Sequence, residues 1–403
     1  MTEEKQNQPI QGEGKADNFD VGSVAARQAL YQEDRDRVKQ ALYTASQGQL
    51  IWRKFRRHKA AQIAMVVLII FYVMAAFCEV ISPYEKATTS PKHLYAPPTR
   101  IHLFAEDESG SRTFIGPFVY GLDGVVDKDF NRVFTENKEE IYKLKFFVKG
   151  DEYKFWGLFR TNIHLFGAEG DGRIFLFGTD KLGRDVFSRT LYGSRISLTI
   201  GLVGVFLSFV LGLVIGGISG YFGGAVDEVI QRGIDLLVSI PQIPLWMTLA
   251  AAMPRDWPIV QTYFAITIVL SVIGWAGLAR TVRGKILSLR EEDFTVAARI
   301  SGVSEWRIIT KHLLPLFMSY IVVAITMAIP NMILGETSLS FLGLGMQPPA
   351  VSWGTLLQDA QQIISVAVHP WLLIPALFVI LAVLMFNIPG DGLRDAADPY
   401  SIS

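Results

Sequence analysis

Six apolar runs, separated by charged or turn-rich stretches, constrain this chain more than any other feature. The first, residues 60–81, carries only Gln62 and Glu79 as polar interruptions, both near its ends. At about 1.5 Å per residue a helix of that length crosses a hydrocarbon layer of ~30 Å. Further runs fall at about 196–218, 234–253, 259–279, 316–334 and 371–389. The run at 234–253 is the least regular, because Asp235, Pro241 and Pro244 interrupt it. Half of the residues are apolar and 19% are charged, which argues against a soluble core. The expected fold is an all-α polytopic membrane protein with six transmembrane helices.

Arg53, Lys54, Arg56, Arg57 and Lys59 stand immediately before the first run. Basic residues beside a span favour the cytoplasmic side. Counting the six spans from there places residues 280–315, which follow the fourth, in the cytoplasm as well, and that segment carries Arg280, Arg283, Lys285, Arg290, Arg299, Arg307 and Lys311. Both termini are then expected to be cytoplasmic. The polar residues ahead of the first run predict a retained anchor, not a cleaved signal. The formal net charge is zero, which gives no sign of nucleic-acid binding. Cys78 is the single cysteine and is expected to be an apolar packing residue.

Four regions follow. Residues 1–51 form a cytoplasmic extension, expected to be disordered at first and then an amphipathic helix from about Val24 to Ile51. Residues 52–83 hold the first span and its basic flank. Residues 84–178 mix aromatic and branched runs with Gly, Asp and Pro, which predicts a small β-rich extracytoplasmic domain inserted between the first two spans. Ile-His-Leu-Phe occurs at 101–104 and again at 163–166, a spacing that allows paired strands or coincidence. His102 and His164 lack ligands at metal spacing and are expected to hydrogen-bond within strands. Residues 179–403 hold the remaining five spans. Gly201, Gly204, Gly212, Gly216, Gly217 and Gly220 load the second span, and the four-residue spacing from Gly212 to Gly220 predicts close helix approach in lipid.

Between the fourth and fifth of the six runs lies a charged, helix-rich block, Glu292-Asp293-Phe294-Thr295-Val296-Ala297-Ala298-Arg299-Ile300-Ser301-Gly302, followed by Glu305-Trp306-Arg307 and closing on Leu313-Leu314-Pro315. Two short helices joined at a glycine make a knob suited to docking. The block resembles the EAA loop of binding-protein-dependent ABC importer permeases, with Ala297, Ala298, Gly302, Leu313, Leu314 and Pro315 on the pattern. Val296 stands where that family often has Glu. Two further stretches, from Phe177 to Ser197 and from Gly335 to Gly354, resemble signatures of the dipeptide, oligopeptide and nickel branch, C-type subunit.

The resemblance implies a type I importer permease fold in the bacterial inner membrane. It also implies a heterodimer with a B-type permease, two ATP-binding subunits that carry ATP and Mg, and a periplasmic substrate-binding protein. The only other contact expected is with membrane lipid. The coupling residues it implies are Ala297, Ala298, Gly302, Val303, Glu305 and Arg307. Glu336, Ser338, Ser340 and Asn331 are polar residues in an apolar helix, where lipid exposure is costly, and are candidates to line the translocation path. Asp180, Arg184 and Asp185 are spaced to tie a turn at the membrane surface.

The nearest approach to a phosphate loop, ending in Gly284-Lys285-Ile286, lacks the first glycine and the final Ser or Thr. No cofactor is expected in this chain, and a transport subunit fits better than an enzyme. A membrane-anchored receptor or scaffold with a ligand-binding outer β domain is the alternative.

Overall fold

A computed structural model describes residues 47–106, 112–126, 132–254 and 256–397. The expectations for residues 1–20 and for most of Val24 to Ile51 lie outside those residues. The chain divides into two units, residues 1–54 and 55–403. Residues 47–54 of helix α1 (Gln47–Phe55) are the described part of the first, with Arg53 and Lys54 in the helix's last turn, where cations suit the helix dipole.

In the second unit the first span is α2 (Lys59–Ala76), capped by the His58 ring, whose Nδ1 accepts from Ala61 N–H at 3.1 Å. It breaks at Phe77 and resumes as one turn, α3 (Cys78–Ile81), in which Cys78 is buried and free. Strands β1 (His102–Glu106), β2 (Arg112–Val126), β3 (Arg132–Phe155) and β4 (Phe159–Ala168) form one antiparallel sheet in the order β1-β2-β3-β4. The two Ile-His-Leu-Phe copies therefore fall at opposite edges and do not pair. Each strand pairs instead with its sequence neighbour, the partner reached by the shortest connection. His164 sits between the carbonyl oxygens of Ser82 and Asp151, at 2.5 and 3.0 Å, and so ties the sheet to the end of the first span. His102 Nε2 lies 3.1 Å from Glu136. Among the described residues no group of three or more His, Cys, Asp or Glu could hold a metal ion.

The helical part continues through α4 (Val186–Phe222), α5 (Gly224–Ser239), α6 (Gln242–Ala251), α7 (Ile259–Leu289), α8 (Asp293–Ile300), α9 (Glu305–Arg307), α10 (Met318–Phe341), α11 (Trp353–Leu357), α12 (Ile363–Val368) and α13 (Ile374–Ala397). Five helices are long and apolar enough to cross a membrane, or six if α5 and α6, which meet at an 86° bend, make one span. Pro241 stands at that bend, where it has no N–H to continue the helix.

Several helices run past the apolar runs that announce them. Helix α4 starts at Val186 and not near 196, and α7 continues to Leu289 and not to about 279. Arg280, Arg283 and Lys285 thus belong to a helix, and the connecting segment is shorter than 280–315. Nothing between Arg280 and Leu289 breaks a helix, and α5 supplies carboxylates for two of the cations. Asp227 accepts from Arg283 Nε and, at 2.5 Å, from its Nη2, while Arg280 Nη2 lies 2.5 Å from Asp235. The charge that interrupts the third run is therefore paired.

Helices α4 and α7 touch along a glycine seam. A Cβ on Gly212 would lie 2.9 Å from the Leu278 side chain, one on Gly216 would lie 2.4 Å from the Ala279 carbonyl oxygen, and one on Gly220 would lie 2.7 Å from the Arg283 carbonyl oxygen. In lipid, where apolar surface gains little by leaving its solvent, such backbone contact is what joins helices. At the other end of α4 the core closes around Phe71, Trp353 and Phe378, which bring α2, α11 and α13 together with ring centroids about 6 Å apart.

Candidate functional site

The block after α7 is a projection on a fixed base. Thr295, fully buried, donates its hydroxyl to the Leu289 carbonyl at 2.8 Å and sets the angle at which α8 leaves α7. Gly302, at φ +75, turns the chain between α8 and α9, and a Cβ there would meet open space. That backbone region is costly for residues with a Cβ. The base is apolar: Ile308, Ile309, Leu313 and Phe317 pack with Tyr221, Val282 and Ile286, and Ala298 and Val303 lie against them. Arg290 Nη1 donates to the Tyr221 carbonyl at 3.2 Å, and the Arg299 guanidinium lies 5.4 Å from the Tyr221 ring centre. The projection is thus joined to the glycine-rich end of α4 and to the end of α7.

Its outer surface carries Ala297, Gly302, Glu305 and Arg307, all exposed, while Ala298 and Val303 are half-buried. Sequence reasoning passed over Ile300 and Trp306, which are 82% and 61% exposed. Large apolar residues at charged helix ends were the available signal.

The four polar residues of α10 separate onto two faces. Glu336 and Ser340 are fully buried within the chain. Glu336 accepts from Ser197 Oγ at 3.0 Å and from Ser340 Oγ at 2.7 Å. Those two hydroxyls in turn accept from Trp353 N–H at 3.1 Å and Met346 N–H at 2.9 Å. This network binds α4, α10 and the stretch 346–353 together and does not reach the chain's surface. Asn331 is exposed and Ser338 half-buried, seven residues apart and therefore on the opposite face of the helix. The separation follows from the helical period, since Glu336 and Ser340 stand one turn apart. Sequence spacing held this information, but the partner Ser197 on α4 is 139 residues from Glu336 in the chain.

Asp180 closes a turn ahead of α4. Its carboxylate accepts from Leu182 N–H and Arg184 N–H at 2.8 and 3.0 Å and from Arg184 Nε at 2.7 Å. Asp185 caps α4, accepting from Ser188 N–H at 2.8 Å and Ser188 Oγ at 2.6 Å. Burial pushes the Asp185 carboxyl up to about 7, against the opposing pull of the Ser188 hydrogen bonds.

Residues 212–400 match the family described as the binding-protein-dependent transport system inner membrane component, and residues 46–98 match the N-terminal TM domain of oligopeptide transport permease C. The dipeptide transport system permease protein DppC of Lactococcus lactis subsp. cremoris is 34% identical over 349 residues, which cover 86% of this chain and 89% of that protein. The chain belongs to this permease family. The oligopeptide transport system permease protein OppC of Haemophilus influenzae is 44% identical over 224 residues, 55% of this chain and 70% of that one. DppC of Bacillus subtilis is 42% identical over 224 residues, 55% and 68% respectively. The inward-facing MetNI methionine ABC transporter aligns with a TM-score of 0.41 at 22% identity, over 52% of this chain and 97% of that one.

This permease is a multi-pass membrane subunit of an ABC importer, a transport component and not an enzyme. The match to the Lactococcus protein is long enough to run through residues 84–178, so the sheet-forming segment is not peculiar to this chain.

Proposed function

We propose that this permease forms half of the translocation pore of an ATP-driven peptide importer. Peptides are the substrate class because dipeptide and oligopeptide permeases are the relatives it resembles over most of its length. A B-type permease supplies the other half of the pore, a periplasmic binding protein delivers the substrate, and two partner subunits hydrolyse ATP with Mg. The projection at 293–307 enters a groove on one ATPase, with Ile300 and Trp306 as its apolar tips and Ala297, Gly302, Glu305 and Arg307 around them. The supporting observation is the contrast between this exposed tip and a buried base tied to α4 and α7 through Tyr221. Asn331 and Ser338, on the open face of α10, line the path.

Both termini and the projection lie on the cytoplasmic side of the bacterial inner membrane, in keeping with the basic cluster before α2. The sheet adjoins the start of α4, where Phe166 of β4 lies against Phe187 with ring centroids 5.9 Å apart, and the projection adjoins its end at Tyr221. A helix of 37 residues spans about 55 Å, so a cytoplasmic projection puts the sheet outside.

The test is Ile300→Asp together with Trp306→Ala, with ATPase co-purification and peptide uptake into membrane vesicles as readouts. Both are expected to fall at least tenfold, while the amount of inserted permease is unchanged. Wild-type levels of both would refute the docking assignment.

A further inference from the structure

The β3–β4 hairpin ends in Lys154-Phe155-Trp156-Gly157-Leu158-Phe159-Arg160, and its tip presents three large apolar side chains: Trp156, Leu158 and Phe159 are 60%, 75% and 69% exposed. Exposed apolar residues scattered singly need no explanation, but a cluster at one loop tip does. Trp156 adopts φ +52, a region bulky residues rarely enter, and Gly157 follows at φ +75. The turn thus holds its tryptophan outward at a conformational cost.

The position of this tip is fixed by α2. The Trp156 indole N–H donates to the Ala76 carbonyl at 2.8 Å, at the last residue of the first span. Arg195 joins it there, with Nε 3.1 Å from the Ala75 carbonyl, Nη2 3.2 Å from that of Ala76, and its guanidinium 5.7 Å from the Trp156 ring centre. Phe155 stacks on Phe77, with centroids 5.9 Å apart. Phe77 is itself the end of an exposed stripe on α2, formed by Val66, Ile69, Ile70, Val73 and Phe77 at helical spacing. The apolar outer surface of the span therefore runs without interruption onto the hairpin.

Two cations complete the pattern. Lys154 and Arg160 are cross-strand partners, one pair back from the tip, and both are exposed. Aromatic residues at the boundary of the hydrocarbon, with Lys or Arg just beyond them, match the two layers of a membrane interface.

We infer that the hairpin tip is a membrane-interface anchor, in which Trp156, Leu158 and Phe159 enter the headgroup–acyl boundary and Lys154 and Arg160 meet lipid phosphates. The sheet is then a lipid-contacting domain, held at fixed depth beside the first span. An aqueous tip would leave the apolar cluster in water, and a protein partner would need to cover both the cluster and the end of the α2 stripe.

The experiment uses the complete transporter in nanodiscs containing an anionic phospholipid, with a nitroxide label on Leu158→Cys in a Cys78→Ala background, which removes the one native cysteine. A label on Phe114→Cys, which replaces an exposed residue of the β1–β2 hairpin, is the aqueous reference. At position 158 molecular oxygen should relax the label more than a water-soluble nickel chelate does, and at 114 the order should reverse. Lys154→Glu with Arg160→Glu should move the 158 label toward the aqueous values. Aqueous values at 158 in the unaltered background, or shielding from both relaxants as under a protein partner, would overturn the inference. An unchanged depth in the double charge reversal would overturn the assignment of the two cations.

Discussion

The α4–α7 seam and the projection at 293–307 each depend on glycine, for opposite physical reasons. Gly216 is glycine because the Ala279 backbone occupies the place of its Cβ, at an ordinary helical backbone. Gly302 has open space around it and is glycine because its φ of +75 excludes most other residues. One position is closed by its neighbours and the other by its own chain. The apolar residues reverse in the same way: small ones are buried where helices meet, while Ile300 and Trp306 point away from the chain that carries them.

The most disruptive test of this contrast is Gly216→Val. The nearest atoms all belong to the Ala279 backbone, so the helices must separate, at a cost in or above the ~1–3 kcal/mol range of overpacked cores. The detergent-solubilised protein should lose several degrees of melting temperature, along with uptake. Gly284→Ala, on the partner helix with nothing within 4 Å of the added carbon, should change neither. Equal melting for the two variants would mean that the seam is not in contact.

Next in size is Glu336→Ala. It strands the Ser197 and Ser340 hydroxyls in a buried site, and leaving buried polar groups unpaired costs about 1–3 kcal/mol. Glu336→Gln keeps an acceptor and should recover most of the melting temperature. An alanine variant as stable as the wild type would show the network to be dispensable.

The smallest effect on stability is expected at the other glycine. Gly302→Val should cost about 1–2 kcal/mol through φ alone, and Gly302→Asn, which tolerates that region, should cost less. Uptake should follow the same order, falling most for valine, with membrane insertion intact. If valine and asparagine transported equally well, the turn would not be shaping the docking tip.

The sequence made the bundle legible because lipid demands long apolar runs, and five of the six expected runs sit on single long helices. The sixth bends because Pro241 falls within it. Helix ends were less visible, because helices that leave the membrane turn polar while remaining helical; Arg280 to Leu289 is the clearest instance. The knob could be read from its glycine and short helices. The assignment of Glu336 to a buried network, away from Asn331, could not, since Ser197 and Trp353 stand far from it along the chain. The edge positions of the two Ile-His-Leu-Phe copies were hidden likewise, because repeated sequence says nothing about which strand lies between.

Helix α7 has 31 residues, or about 46 Å, which exceeds a hydrocarbon layer of ~30 Å by several turns. Its surplus carries the contacts of Gly216 and Gly220 and then the projection. Mechanically this is a short stalk clamped to its neighbour close to the point of loading. With two backbones in direct contact there is little compliance at the clamp. On the proposed docking, a push on Ile300 or Trp306 would move the paired helices together, with little of it lost in bending the stalk.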